Sequence, residues 1–345
     1  MRVLHVLCSN IFSGAENVAC QIINIFKQCD DVEMIYCSPD GKIREALEER
    51  NIKFYPLSKM SCTELRKAIH DIKPDVIHAH DMRASFFSAL VCGNIRVVSH
   101  VHNNSFDSRK LTVKAILYQS QARKYTHIFW VSQAAFDGYR FKDKVKEKSS
   151  VLRNLIDIGE VNRKASEAVD QDIYDIIYLG RMTYPKNPER VIDVVEQVVH
   201  LCPTVKVALV GQGELQDTVE KAIEERNLGT NVRMLGFKSN PYGLLGKARV
   251  MLMTSRWEGL PMCALEAMAL GVPIVSTPTD GLKEVVDNGV TGYLETTDEK
   301  LSARCLEILE NNDLRSRMAE ESFHKAMEMM NVDDYRKAIM NEYTR

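Results

Sequence analysis

The chain has 345 residues, 45% of them apolar, which is more than a single hydrophobic core usually holds and enough for two. Nine scattered cysteines, odd in number and without a C-x-x-C pair, exclude a disulfide frame and a cysteine zinc site and suit a reducing cytosol. The formal net charge of −2 excludes a generally basic nucleic-acid binder.

Met1 leads directly into the apolar run 3–8 with no signal-peptide architecture, and no stretch approaches the roughly 20 uncharged apolar residues that span a bilayer. We therefore expect a cytoplasmic protein, soluble or peripheral on the inner face of a membrane. Short apolar runs then alternate with helical patterns, the mark of βαβ units and a parallel sheet. In the first half the runs 3–8, 33–37, 76–79, 96–101, 128–131 and 150–152 read as strands. Helices are expected at 15–28, 42–50, 62–71, 84–92 and 112–124. The segment 154–171 is polar and strandless and reads as a linker. A second set of strands follows at 175–179, 205–210, 232–235, 250–254, 273–276 and 292–295, with helices at 189–200, 215–226, 261–270 and 300–310. The fold class is α/β, with two Rossmann-like, doubly wound domains at 1–160 and 161–325 and a last helical segment at 326–345. Such halves bind ligands at the carboxyl ends of their sheets, here in a cleft that both face.

From His100 to Arg153, eleven Lys or Arg face four acids, a local balance of +7. Two readings stand open: a solvated helical face, or a patch for an anionic membrane surface. No nucleic-acid motif accompanies the charge.

The strongest chemical signal is Ser255-Arg256-Trp257-Glu258-Gly259-Leu260-Pro261, which runs on through Glu266 to Gly271. Pro261 suits the first turn of a helix and Gly271 its end. A helix amino terminus directly after a strand offers unpaired N–H groups and the positive end of the dipole to a phosphate, with no cation required. Glu258 lies before the helix and Glu266 two turns inside it, so one carboxylate can meet a sugar hydroxyl and the other a ribose. In Gly180-Arg181-Met182-Thr183-Tyr184-Pro185-Lys186, Gly180 turns the chain off a strand so that Arg181 and Lys186 can reach a diphosphate.

Gly211-Gln212-Gly213 fits either a dinucleotide loop lacking its third glycine or a close-packed corner beside the nucleotide. Phe237 either contacts a base or belongs to the core. Gly14 either permits close approach of a ligand phosphate or makes a simple tight turn. Alternation puts His78 and His80 on one face of a strand, and His100 and His102 on one face of another. Such clusters invite a metal, but no acidic triad accompanies them and Arg181 with Lys186 already supplies positive charge, so we expect no metal and no cofactor.

These residues together resemble glycosyltransferase family 4, of GT-B fold, over nearly the whole chain. The match covers Glu258 and Glu266 in the EGLP…LEAMA.GVP context, Gly180-Arg181…Lys186-Asn187, Val210 to Gly213, Ser13 to Glu16, Asp75 to Asp81 and His102-Asn103. Two places depart from the family: Ser13-Gly14 replaces a glycine pair, and Asn154-Leu155-Ile156-Asp157 replaces Asn-Gly-(Ile/Val)-Asp. The resemblance implies that Glu266 binds the ribose, Glu258 the donor sugar, Arg181 and Lys186 the diphosphate, and His102 the sugar near the reacting centre. Gly14, Gly180, Gly211, Phe237, Gly259, Leu260 and Pro261 complete the expected donor site, and the final helix crosses back onto the first domain. It further implies a retaining, metal-independent transfer from a UDP-sugar, or less commonly a GDP-sugar, to a glycan or lipid-linked acceptor. Competing classes are a Rossmann-type sugar-nucleotide epimerase or NAD-dependent oxidoreductase, and a non-catalytic nucleotide-sugar-binding relative.

Overall fold

The computed structural model describes residues 1–102, 109–168 and 172–345, which fall into two compact units: Met1–Leu155 with Asn331–Arg345, and Ile156–Met330. In the first, strands β1 (Arg2–Val6), β2 (Glu33–Pro39), β3 (Phe54–Leu57), β4 (Val76–His80), β5 (Arg96–Val101), β6 (Tyr125–Trp130) and β7 (Ser149–Val151) form one parallel sheet in the order β3-β2-β1-β4-β5-β6-β7. Helices α1 (Gly14–Phe26), α2 (Ile43–Glu48), α3 (Cys62–Ile72), α4 (Asp81–Val91), α5 (Val113–Ser120) and α6 (Gln133–Gly138) connect its strands.

The second unit holds β8 (Ile176–Leu179), β9 (Val207–Val210), β10 (Val232–Gly236), β11 (Val250–Met253), β12 (Ile274–Ser276) and β13 (Gly292–Leu294), parallel in the order β10-β9-β8-β11-β12-β13. Its helices are α7 (Ile158–Ser166), α8 (Pro188–Leu201), α9 (Gln216–Glu225), α10 (Tyr242–Lys247), α11 (Met262–Ala269), α12 (Asp280–Val285), α13 (Asp298–Glu310) and α14 (Asn312–Met329). The last helix, α15 (Val332–Thr344), belongs to the first unit.

In each sheet the chain winds outward from its first strand, then returns to build the other side. The reversal falls between β1 and β4 in one unit and between β8 and β11 in the other. Loops leaving those two neighbours diverge to opposite faces of the sheet, which opens a crevice at the strand ends. Both faces of the sheet are covered, so central strands such as β9 and β11 are apolar at every position and fully buried. Val191, Val195 and Val198 of α8 pack with Leu209, Val219, Leu301 and Ile308 in the core of the second unit.

The structure departs from the sequence-based expectation where local pattern was weak. A seventh strand, β3, lies at the sheet edge and contains Pro56, which cannot donate to a ladder and masks a strand in the sequence. The expected linker 154–171 contains α7: the Asp157 side chain accepts from Glu160 N at 2.9 Å, Glu160 pairs with Arg163, and Val161 is buried. Its residues 169–171 lie outside the described ones. Helix α14 escaped notice because it is polar all round, with only Leu314, Met318, Ser322 and Ala326 buried along one stripe. Among the described residues no helix is long and apolar enough to cross a membrane.

Helix α15 lies on the sheet of the first unit. Its Tyr343 is fully buried, its hydroxyl stands 2.6 Å from Nδ1 of His78, and Arg96 donates to its carbonyl. Glu342 meets Nδ1 of His127 at 3.2 Å. Removing the Tyr343 hydroxyl strands a buried imidazole nitrogen, at a cost of about 1–3 kcal/mol. We expect Tyr343→Phe to lower the unfolding free energy of the first unit, read by urea denaturation, by that amount; an unchanged value would mean that the hydroxyl carries no net stabilisation.

Candidate functional site

At the reversal point of the second sheet, the loops after β8 and β11 are tied together. Lys186 Nζ lies 2.6 Å from Glu258 Oε1, and Ser255 Oγ donates to the same oxygen at 2.7 Å. Asn187 donates to Thr254 O at 3.2 Å and Thr254 Oγ1 returns a bond to Asn187 O at 2.8 Å. Arg256 donates from its backbone N to Pro185 O at 2.8 Å and from its guanidinium to Tyr184 O and Asn187 Oδ1, and it stacks on the Tyr184 ring. Asn187 holds a left-handed conformation at φ 53° and Pro188 opens α8, so the Asn-Pro step turns the chain straight from loop into helix. Burial works against the charge on Lys186, but the Glu258 carboxylate beside it outweighs that and raises its pKa. The pair is a fixed charge in a semi-enclosed place, where losing one partner costs about 3–5 kcal/mol because the other is left stranded.

Helix α11 follows this loop. Pro261 is its N-cap, not part of its first turn as expected: its ψ of 122° is extended, and no side chain caps the amino terminus. The far end matches expectation, with Gly271 in the left-handed region at φ 65°. Glu266 is buried inside α11, with Tyr242 Oη donating to Oε1 at 3.1 Å. Burial raises its pKa to about 7, against the opposing pull of the Tyr242 bond and of Lys164. Cys263 on the same helix has its thiol pushed up to about 12 by burial, so it is inert as a nucleophile.

The glycines divide differently from expectation. Gly180 does not adopt a left-handed conformation; the loop after β9 carries the strain, with Gly211 at φ +137°. A Cβ on Gly211 would stand 1.9 Å from Gly180 O, and one on Gly213 would stand 2.3 Å from Met182 O. Met182 N donates to Gln212 O at 2.9 Å, so the two loops lie back to back and the close-packed corner accounts for the G-x-G. Phe237 is 60% exposed just beyond β10, which removes it from the core. Arg181 is exposed, whereas Gly259, Leu260 and Pro261 are buried. Sequence reasoning missed Ser255 as a partner of Glu258, Tyr242 as a partner of Glu266, and Gly281, whose Cβ would stand 2.2 Å from Gly259 O. Only the Asn187-Pro188 turn carried a local signal for the contacts around Arg256.

Gly14 and His102 belong to the first unit and the other ten expected site residues to the second. Gly14 is exposed at the start of α1, with open space where a Cβ would stand. Parallel register pairs His5 with His78 and His80 with His100, so His5, which the sequence pattern did not single out, joins the other four on one face. His5, His78 and His80, and likewise His80, His100 and His102, bring ligand atoms within 4.8 Å of one another. Burial lowers the pKa of all five. Residues 103–108, Asn103 among them, lie outside the described residues.

Residues 160–325 match the family described as glycosyl transferases group 1, and residues 12–160 match glycosyltransferase family 4. An uncharacterized glycosyltransferase of Methanocaldococcus jannaschii is 26% identical over 254 residues, 67% of this chain; the chain spans 62% of that relative's length. UDP-Gal:alpha-D-GlcNAc-diphosphoundecaprenol alpha-1,3-galactosyltransferase of Escherichia coli is 24% identical over 331 residues, covering 85% of this chain and 84% of that one. Among solved structures, Anabaena HepE in complex with UDP superposes with a TM-score of 0.85 at 21% identity over 100% of both chains. Its complex with UDP-glucose superposes at 0.86 and 20% identity, over 100% of this chain and 99% of that one. The likeness shows the fold, two parallel-sheet Rossmann-like units of GT-B type.

Glu266 binds its proton more tightly folded than unfolded. Its contribution to stability is therefore complete below the unfolded glutamate pKa of about 4.3, and it is lost as pH rises through about 7. We expect stability of the second unit to fall across that window by up to roughly 3 kcal/mol, and Glu266→Gln to flatten the fall. Chemical denaturation at a series of pH values checks this; identical slopes in both proteins would show that Glu266 is not the titrating group.

Proposed function

The chain belongs to the family 4 glycosyltransferases and has their GT-B fold, and on that premise we propose that it moves a sugar from a UDP-sugar to a glycan or lipid-linked acceptor in surface polysaccharide or glycoconjugate assembly. The observation that carries this reading is the Lys186–Glu258 pair, 2.6 Å apart, in the loops at the reversal point of the sheet, with Glu258 just before the amino terminus of α11, which no side chain caps. Lys186, the exposed Arg181 and the helix terminus supply positive charge where the departing diphosphate gains negative charge, so they stabilise the transition state more than the bound donor. That local charge is the ground for proposing a metal-independent reaction. Glu258, held by Lys186 and Ser255, presents a carboxylate to a sugar hydroxyl. Buried Glu266 accepts from the ribose, and Phe237, exposed at the end of β10, offers a ring to the base. His102 contacts the donor sugar, and Gly14 leaves room for the phosphates.

Retention of configuration through a front-face, oxocarbenium-like route is the proposed stereochemistry, by resemblance to the family alone. UDP is favoured over GDP as the carrier by the HepE complexes with UDP and UDP-glucose, and a lipid-linked acceptor by the name of the Escherichia coli relative. Thermal shifts with UDP, GDP and NAD test the nucleotide. UDP is expected to raise the melting temperature and NAD to leave it unchanged; stabilisation by NAD alone sinks the proposal in favour of an oxidoreductase. Arg181→Ala is expected to weaken UDP binding at least about 10-fold and to abolish transfer without lowering the melting temperature.

We propose an anionic membrane surface as a second partner, met through one part of the +7 segment. Part of the +7 segment serves the fold: Lys124 donates to Ala89 O, and Lys148 to Ala122 O and Tyr125 O. In α5 and just before it, by contrast, Leu111, Val113, Ile116 and Leu117 are 67, 74, 47 and 43% exposed, beside Arg109, Lys110 and Lys114. Apolar side chains flanked by cations suit the headgroup region of an anionic bilayer. Replacing Val113, Ile116 and Leu117 by Ser is expected to reduce binding to phosphatidylglycerol vesicles about 10-fold or more. Equal, salt-insensitive binding of both proteins would remove this partner.

A further inference from the structure

Three of the five clustered histidines are joined end to end. Nδ1 of His5 lies 3.0 Å from Nε2 of His80, and Nδ1 of His80 lies 2.8 Å from Nε2 of His102. The ring centres of His80 and His102 are 5.0 Å apart with planes 10° apart, and those of His5 and His80 are 5.3 Å and 29°. Each centre-to-centre distance exceeds the nitrogen separation by only about two ring radii, so the nitrogens lie on the line between the rings. That is the geometry of an in-line N–H···N bond. Such a short separation leaves no room for an ion between the two nitrogens on that line, since two metal–nitrogen bonds in a row span about 4 Å.

Burial makes all three rings neutral near pH 7, lowering His5 to about 3 and holding His80 and His102 below their usual value. A neutral imidazole carries one proton on one nitrogen. The chain therefore has only two consistent arrangements, because a ring that accepts at one nitrogen must donate from the other. In one, every Nδ1 carries the proton and the free N–H is that of His102. In the other, every Nε2 carries it and the free N–H is that of His5. Both terminal atoms, His5 Nε2 and His102 Nδ1, are buried and unpartnered among the described residues. His5 is fully buried in β1, inside the sheet, and its Nε2 meets no acceptor among the described residues. His102 is half-buried just past the carboxyl end of β5, where a ligand can supply one. Leaving a buried N–H unsatisfied is unfavourable, which favours the first arrangement whenever an acceptor stands at His102.

We propose that His5 and His80 are positioning residues that hold His102 in the Nδ1–H tautomer, so that this end of the chain recognises an acceptor oxygen of the nucleotide-sugar, a sugar hydroxyl or a phosphate oxygen. The proposal rests on the assignment of His102 to the donor sugar. Asp81 Oδ1 fixes the backbone of the same residue, accepting from His102 N at 3.0 Å. His78 and His100 flank the row; His78 is held by Tyr343, and His100 lies with its ring centre 4.1 Å from that of His102. A neutral donor of fixed tautomer gives direction to the contact without adding charge beside the diphosphate.

The test compares wild type, His80→Leu and His80→Asn in slow hydrolysis of a UDP-sugar, together with UDP binding. His80→Leu is expected to lower kcat/KM about 10–100-fold, as loss of a partner that orients a functional histidine does elsewhere, while UDP affinity is unchanged. His80→Asn keeps an amide N–H near the place of Nδ1 and is expected to recover most of that loss. If wild type fails to bind UDP, the nucleotide assignment fails. If UDP binds and His80→Leu hydrolyses the donor like wild type, the tautomer proposal fails alone. Should His80→Leu not fold, two-bond 1H–15N correlation on histidine-labelled wild type with UDP-sugar bound decides: Nδ1–H at His102 supports the proposal, and Nε2–H overturns it. One tightly bound divalent metal per chain in the purified protein also overturns it. A donor analogue lacking single sugar hydroxyls identifies the oxygen: a His80-independent rate with one analogue points to that hydroxyl, and an unbroken dependence across all of them points to phosphate.

Discussion

The contact between Lys186 Nζ and Glu258 Oε1 organises the second unit. It joins the loop leaving β8 to the loop leaving β11, the two neighbours between which the winding of the sheet reverses. It acts with the Asn187–Thr254 and Arg256 bonds to hold together two loops whose following helices diverge to opposite faces. The pair also solves an electrostatic problem. A carboxylate 8% exposed beneath a helix terminus needs a counter-charge within hydrogen-bond reach, and Lys186 with Ser255 provides it. Once they are tied, Arg256, Asn187 and Thr254 lock the backbone around them, and α11 inherits a fixed position from which its amino terminus and Glu266 act.

The reversal point of the first sheet is filled in a different way. There β1, β4 and β5 bring together a cluster of imidazoles that burial keeps neutral. A buried charge needs a partner, whereas neutral rings can satisfy one another through N–H···N bonds and by packing face against face. Tyr343 of α15 closes one side of the row, which explains why the last thirteen-residue helix belongs with the first residues of the chain. The two units thus share a topology and fill it differently, one with a Lys–Glu ion pair and the other with buried imidazoles.

How much of this could be read beforehand depended on whether the signal was local. Central strands of a parallel sheet are buried on both faces, so β9 and β11 appear as unbroken apolar runs and need no partner to be recognised. The spacing from Glu258 to Glu266, Pro261 before α11 and Gly271 after it are likewise properties of one short segment. Edge strand β3 broke its own pattern with Pro56, and α14, with a polar surface and one narrow stripe, resembles many exposed segments. Helix α7 was legible in principle, since Asp157 and Glu160 stand at capping distance, but its polarity favoured a linker.

The sequence by itself determined the alternation of strands and helices, and with it the parallel α/β class, because hydrophobic period and turn chemistry are local. It also determined which residues follow strand ends or lie early in the next helix, and hence that Arg181, Lys186, Glu258 and Glu266 were candidates. Only the tertiary structure decided which of these meet. Lys186 and Glu258 are 72 positions apart, Tyr242 and Glu266 are 24 apart, and His5 and His80 are 75 apart. No periodicity carries such pairings; they arise when strands find their register. Register also explains why two pairs of histidines, each visible in its own segment, became a cluster of five once β1 was laid beside β4.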